Sequence, residues 1–138
     1  MPSFELESIP AGENCAVLRV VGEVEVYTAP ELRERVIQLL AGGAIHLIAD
    51  LRDVDFLDST GLGALVGSLR RVRTHGGSLL LVASSPRIRE IFTITGLINA
   101  FSLYPSIPQA IAASEDWITA IASEDGSVED WCRKHGLA

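Results

Sequence analysis

Two short apolar runs, "IHLIADL" at 45–51 and "SLLLVA" at 78–83, most constrain what this chain can fold into. Neither alternates cleanly with polar residues, so each reads as a strand buried on both faces, as in a parallel sheet covered by helices. The period changes around them. Leu32, Val36, Leu39 and Leu40 line one face of a helix from Ala29 to Leu40, with Thr28 as a candidate cap and Pro30 in its first turn. Leu62, Leu65, Val66, Leu69 and Val72 recur at helical spacing after the first run, and "PRIREIFTIT" follows the second. The glycine pairs 42–43 and 76–77 stop the first two helices. Upstream, "SFELESI" alternates, with Phe4, Leu6 and Ile9 marking a strand; "PAGEN" is a turn and "CAVLRVVG" a second strand, so the chain opens on a hairpin. "AFSLY" is a final short strand and "SIPQAIAASEDWITAIA" a closing helix. The expected fold is α/β, a mixed sheet with a hairpin followed by alternating strands and helices.

At 138 residues the chain fits one domain with a real core. Its net charge of −7 argues against nucleic acid or an anionic membrane surface as partner, since both select clustered cations. The cations that do cluster, Arg70, Arg71 and Arg73, stand near a helix end where they complement its dipole. No apolar run reaches the roughly 18 residues of a membrane span, and "MPSFELESIP" lacks the basic and apolar regions of an export signal. Cys15 and Cys132 match no metal or redox spacing. They read as reduced thiols of a cytoplasmic protein, with a bridge between them left open by sequence. Residues 114–138 form an acidic extension, expected to be helical. It carries Glu115, Asp116, Glu124, Asp125, Glu129 and Asp130 against Arg133 and Lys134. Ser127 and Asp130 have the spacing of a helix start, and Trp117 and Trp131 read as packing residues.

The segment "DVDFLDSTGLGALVG", Asp53 to Gly67, concentrates the chemistry. As a calcium loop it fails, because Asp58 stands where the loop needs glycine and Ala64 where it needs a bidentate glutamate. As a phosphate cradle it fails too: the third glycine comes one residue late for G-x-G-x-x-G, and no lysine is near. A nucleophilic Ser59 would need flanking glycines and a histidine, and no motif ties His46, His75 or His135 to it. Asp58 or Ser59 is a natural N-cap for the helix that follows. A hydroxyl at a helix N-terminus beside an exposed acidic loop is also open to a modifying enzyme. A phosphate there sits at the favourable end of the dipole, so modification changes surface charge without unfolding the domain. Gly63 and Gly67, four apart, leave a narrow stripe along the helix.

Together, "GEVEVYTAPELRERV", "HLIADL", "DVDFLDSTGLGALVG" and "GGSLLLVASSPRIREIFTITGL" resemble the STAS domain, and more narrowly the bacterial anti-sigma factor antagonists, over about residues 3 to 113. The resemblance implies a small β-sheet with helices mainly on one face, residues 1–113 as the STAS domain, and no catalytic activity. It implies partner switching: the unphosphorylated protein binds an anti-sigma factor that is itself a serine kinase, freeing a sigma factor. The kinase, holding ATP and Mg in its own pocket, phosphorylates the antagonist and ends the complex; a phosphatase resets it. Carried onto this chain, the phosphoacceptor is Ser59, with Thr60 as runner-up. Asp58 and Glu25 lie on the partner-facing surface, and Gly61 and Gly63 permit close approach. Glu25 replaces the shorter Asp usual in the family, and Asp55 stands where Ser or Thr is common. The alternative is a STAS scaffold that binds partners without a phosphorylation cycle.

Overall fold

The computed structural model describes residues 4–124 and 126–138; Ser3 of the expected first strand and Asp125 of the extension lie outside the described residues. The chain runs β1 (Glu5–Ala11), β2 (Cys15–Val24), α1 (Ala29–Ala41), β3 (His46–Leu57), α2 (Ser59–Thr74), β4 (Ser78–Val82), α3 (Pro86–Ile94), a 3-10 turn (Leu97–Asn99), β5 (Ser102–Tyr104), α4 (Ile107–Ala112), α5 (Glu115–Ala122) and α6 (Val128–Lys134). The five strands lie side by side in sequence order. β1 and β2 form the antiparallel hairpin, and β2 through β5 are parallel. This is the mixed α/β sheet that the alternation predicts.

Each central strand feeds two cores. Leu18, Val20, Leu47, Ala49, Leu51, Leu79 and Leu81 point to one face, where they meet Leu32, Val36, Leu65, Leu69, Ile88 and Phe92 of α1, α2 and α3. Val17, Ile48, Leu80 and Val82 point to the other, against Ile107, Ile111, Trp117, Ile121 and Trp131 of α4, α5 and α6. The expectation of helices mainly on one face describes α1–α3, the main crossover helices, and has to be extended. Strands apolar on both faces need cover on both, and the second face is covered by the three C-terminal helices.

Two element boundaries differ from the sequence reading. β3 does not end at Leu51 but continues through the acidic segment, pairing with β2 as far as Val24↔Leu57, while β4 follows it only to Asp50↔Val82. Asp53–Leu57 is thus a strand, not a loop. Only Val54 and Leu57 of that stretch are buried; Asp53, Asp55 and Phe56 face outward, so the apolar spacing of a fully covered strand is lost. The closing helix is two helices. Ser114 takes the N-cap position of α5, accepting from the Trp117 N–H at 3.4 Å, and so offers the backbone an alternative to continuing α4.

Residues 114–138 are part of this packing. Trp117 and Trp131 are fully buried and meet edge to face with centroids 6.3 Å apart. The Trp131 Nε1–H donates to Glu124 at 2.6 Å, and the other oxygen of Glu124 accepts from the Gly12 N–H at 3.1 Å, tying the extension to the β1–β2 turn. Ser127 caps α6 through the Asp130 N–H. Cys15 and Cys132 are free thiols buried in the second core. Burial, reinforced by the charge of Asp116, pushes Cys15 up to about 12. Burial and Glu129, opposed by Arg52, put Cys132 at about 11. Both stay protonated at neutral pH. Asp50, almost wholly buried on β3, is satisfied by Arg52, which grips it through Nε at 2.8 Å and Nη2 at 3.0 Å, with Arg19 at 3.6 Å. Among the described residues no helix is long and apolar enough to cross a membrane.

Candidate functional site

The residues singled out by sequence meet at one end of the sheet, where β2 and β3 outrun β4. The junction is the Val24 carbonyl. It accepts from the Asp58 N–H at 3.3 Å, joining the end of β2 to the start of α2. Gly61 sits against the same carbonyl: a Cβ on Gly61 would lie 2.4 Å from the Val24 oxygen and 2.8 Å from Leu57 Cδ1. Glycine is therefore required for the first turn of α2 to settle on the strand ends. That contact holds residues 24–28 beside residues 57–61.

Asp58 is the N-cap of α2. Its backbone is extended, and its carboxylate accepts from the Gly61 N–H at 2.9 Å. The sequence left this role open between Asp58 and Ser59; Asp58 takes it, and Ser59 becomes the first helical residue. Ser59 and Thr60 are both exposed, and neither hydroxyl has a hydrogen-bond partner among the described residues. With the cap directed to Gly61, the N–H groups of Ser59 and Thr60 stay without intrahelical acceptors and point out of the helix end. An oxyanion on either hydroxyl would lie beside these donors and the positive end of the helix dipole.

Glu25 is half-buried in the turn before α1. Its Oε1 accepts from the N–H groups of Tyr27 and Thr28, each at 3.1 Å, and its own N–H donates to Thr28 Oγ at 2.9 Å. The Thr28 hydroxyl donates back to the Glu23 carbonyl at 2.7 Å. Thr28 holds the N-cap position of α1 but makes no side-chain cap; the first helical N–H, that of Ala29, donates to the Glu25 backbone carbonyl at 2.8 Å. The longer Glu suits the reach of its carboxylate across three residues to Thr28, leaving one carboxylate oxygen free of these bonds.

The two glycines expected to permit close approach separate. Gly61 is buried and its tight contact is with the chain's own Val24. Gly63 is exposed, and a Cβ there would meet no atom within 4 Å; Gly67 has the same open space. No contact within the molecule requires glycine at either position.

No histidine approaches Ser59. His46 begins β3 and bonds to Ser78 Oγ at 2.9 Å, eleven residues and roughly 35 Å from the Leu57 end of the strand that precedes Ser59. His75 closes α2 at its opposite end, and His135 lies against the Trp131 ring at 4.4 Å. The described residues contain no group of three or more His, Cys, Asp or Glu arranged to hold a metal ion. Sequence reasoning missed Tyr27 and Phe56. Tyr27 is 85% exposed and Phe56 40%, beside Val26 at 56%; the apolar letter next to an acidic one in "EVYT" and "DFLD" is the available signal.

A small mixed sheet with α2 starting on a capped, hydroxyl-bearing turn defines a class, and comparison with known proteins identifies it. The STAS domain model matches residues 8–110, and the chain belongs to that family. Among its relatives, the anti-sigma-B factor antagonist of Bacillus subtilis is 44% identical over 89 residues, covering 64% of this chain and 81% of that protein. The crystal structure of an anti-sigma factor antagonist from Mycobacterium paratuberculosis superposes with a TM-score of 0.71 at 31% identity, covering 80% of this chain and 93% of the other. The phosphorylated form of the Bacillus cell fate determinant SpoIIAA shares the fold, with a TM-score of 0.61 at 24% identity over 80% of this chain and 98% of that one. The match to the family model ends at residue 110, so α5 and α6 lie beyond it.

Proposed function

We propose that this chain is an anti-sigma factor antagonist that works as a phospho-regulated partner switch. Unmodified, it binds an anti-sigma factor with serine kinase activity and so frees a sigma factor for transcription. Phosphorylation of Ser59 ends that complex, and a phosphatase restores it. The observation that carries this reading is the start of α2: an exposed Ser59 hydroxyl at the first helical position, next to a cap that takes its hydrogen bond from Gly61 rather than from Ser59 or Thr60. The names of the relatives support the same activity.

The geometry supports the following roles in this reading. Ser59 is the acceptor, and Thr60 is the second choice because it is equally exposed one residue on. Asp58 fixes the backbone that presents Ser59, and Glu25 fixes the neighbouring turn, so both shape the partner-facing surface without taking part in chemistry. Gly63 leaves room for the partner beside the acceptor. The chain needs no cofactor of its own, because the kinase holds ATP and Mg. A phosphate on Ser59 adds nearly two negative charges opposite the nucleotide phosphates in that pocket, and like charges there push the complex apart. The chain's N–H groups at the helix start meanwhile stabilise the modified form. The two buried, protonated thiols suit a cytoplasmic setting.

Calorimetric titration of the kinase with the unmodified chain and with Ser59→Glu tests the switch. The charge variant is expected to bind at least about tenfold more weakly, with an unchanged melting temperature. Equal affinity for both would remove the switch and leave a STAS scaffold that binds without a phosphorylation cycle.

A further inference from the structure

Next to Ser59 the end of the β2–β3 ribbon carries apolar surface that the fold itself does not use. Tyr27 projects from the turn before α1, with Val26 beside it, and Phe56 stands on β3 directly across from Glu23 of β2. The Tyr27 backbone is held rigidly, its N–H bonded to Glu25, while its ring is left 85% exposed. A fixed backbone carrying a free aromatic ring loses little entropy when that ring is buried by a partner, which is the property of an interface anchor.

The rim is of one sign. Glu23 pairs across from Phe56, Asp55 and Asp58 lie within two residues of it and Glu25 within two of Tyr27, and no ion pair among the described residues involves any of the four. The two arginines of the ribbon are already engaged, Arg19 with Glu7, Asp50 and Asp53 and Arg52 with Asp50. The other exposed arginines of the neighbouring helix, Arg70, Arg71 and Arg73, lie toward the far end of α2, some 11 residues and roughly 16 Å along the axis from Ser59. Four carboxylates without an ion-pair partner thus accompany the exposed rings, two of them, Glu25 and Asp58, held in place by backbone N–H groups.

We infer that this ribbon end docks a protein surface with an apolar socket for Tyr27 and Phe56 and a surrounding rim of Lys or Arg. The inference rests on the proposed function for the existence of a protein partner and adds what that partner must look like. The aromatic rings supply the affinity, because burying them removes apolar area from water. The carboxylates steer approach and orientation, because opposite charges outside the dry centre act mainly on the association rate and are screened by salt. Phosphorylation and docking then use different parts of one surface: the rim attracts the partner, and the new phosphate meets the nucleotide at the acceptor.

The test uses the full chain and the anti-sigma-B factor of Bacillus subtilis as probe, with association and dissociation rates measured at about 50 mM and about 500 mM salt. Tyr27→Ala is expected to raise the dissociation constant by roughly 10- to 100-fold, mostly through faster dissociation. Glu23→Gln with Asp55→Asn is expected to slow association several-fold at low salt and to flatten its salt dependence. All three side chains are exposed, so melting temperatures should not move. Wild-type binding that is insensitive both to Tyr27→Ala and to salt would overturn the docking surface, while the Ser59 reading stands. A wild type that does not bind the factor at all would overturn the reading and the surface with it.

Discussion

Two stretches of this chain look alike in composition and behave oppositely. Asp53–Thr60 and the extension from residue 114 are both rich in acids, Ser or Thr, and isolated aromatics. At the ribbon end the acids face solvent and the aromatics stay out, so the segment presents chemistry. In the extension the aromatics go in: Trp117 and Trp131 are fully buried, while Glu124 turns inward to bond an indole and the β1–β2 turn. The difference lies in what the sheet offers. At the ribbon end β3 has already outrun β4, and only Val54 and Leu57 have a core to enter. The extension lies over a complete sheet face of Val17, Ile48, Leu80 and Val82, which is costly to leave wet. Acidic composition therefore says little about function until the adjoining apolar surface is known.

The largest effect should come from Trp117→Ala, which empties the centre of the second core and is expected to destabilise the fold by about 3–5 kcal/mol in urea unfolding. Tyr27→Ala, an exposed aromatic in the turn that adjoins the other region, should cost less than about 0.5 kcal/mol. Similar losses at the two positions would break the comparison. Gly61→Ala comes next: its Cβ would press on the Val24 carbonyl, and a loss of about 1–3 kcal/mol is expected. Gly63→Ala, on the same helix, should instead stabilise by about 0.5–1 kcal/mol, since nothing occupies its space and alanine is the better helix former. If that variant is more stable yet binds the kinase less well, the open position serves the partner.

A pH series sharpens the contrast from the side of the second core. Both thiols have folded values, about 12 for Cys15 and about 11 for Cys132, above their ordinary value of 9.0. Their contribution is complete below pH 9, where both states hold the proton. It is lost as the unfolded chain ionises first and pH rises through the folded values. Stability should decline between pH 9 and 12, and Cys15→Ala with Cys132→Ala should flatten that decline although it lowers the plateau. The smallest effect is at the cap. Asp58→Asn keeps an acceptor for the Gly61 N–H and should change stability by a few tenths of a kcal/mol, whereas Asp58→Ala should cost about 1 kcal/mol.

The strand–helix order was legible because the covered strands carry uninterrupted apolar runs and α1 and α2 carry a 3.6-residue period. The resemblance to STAS domains rested on the same segments. Three features were not legible, each for a physical reason. The far half of β3 has one wet face and one neighbour, so it reads as an acidic loop. The break between α4 and α5 depends on Ser114 choosing the cap over the helix, a competition that periodicity does not register. The inward glycine and the outward one, Gly61 and Gly63, are identical letters two positions apart, and only the Val24 carbonyl tells them apart. Asp58 and Ser59 stand out in the sequence as a pair; the structure divides their work into cap and exposed hydroxyl.

The switch we propose depends on that division, and site-resolved mass spectrometry after incubation with the proposed kinase partner and Mg-ATP tests it directly. One phosphate is expected on Ser59 of the wild type, none on Ser59→Ala, and the modified protein should keep its melting temperature. Phosphate at another residue alone, or unfolding on modification of Ser59, would contradict it.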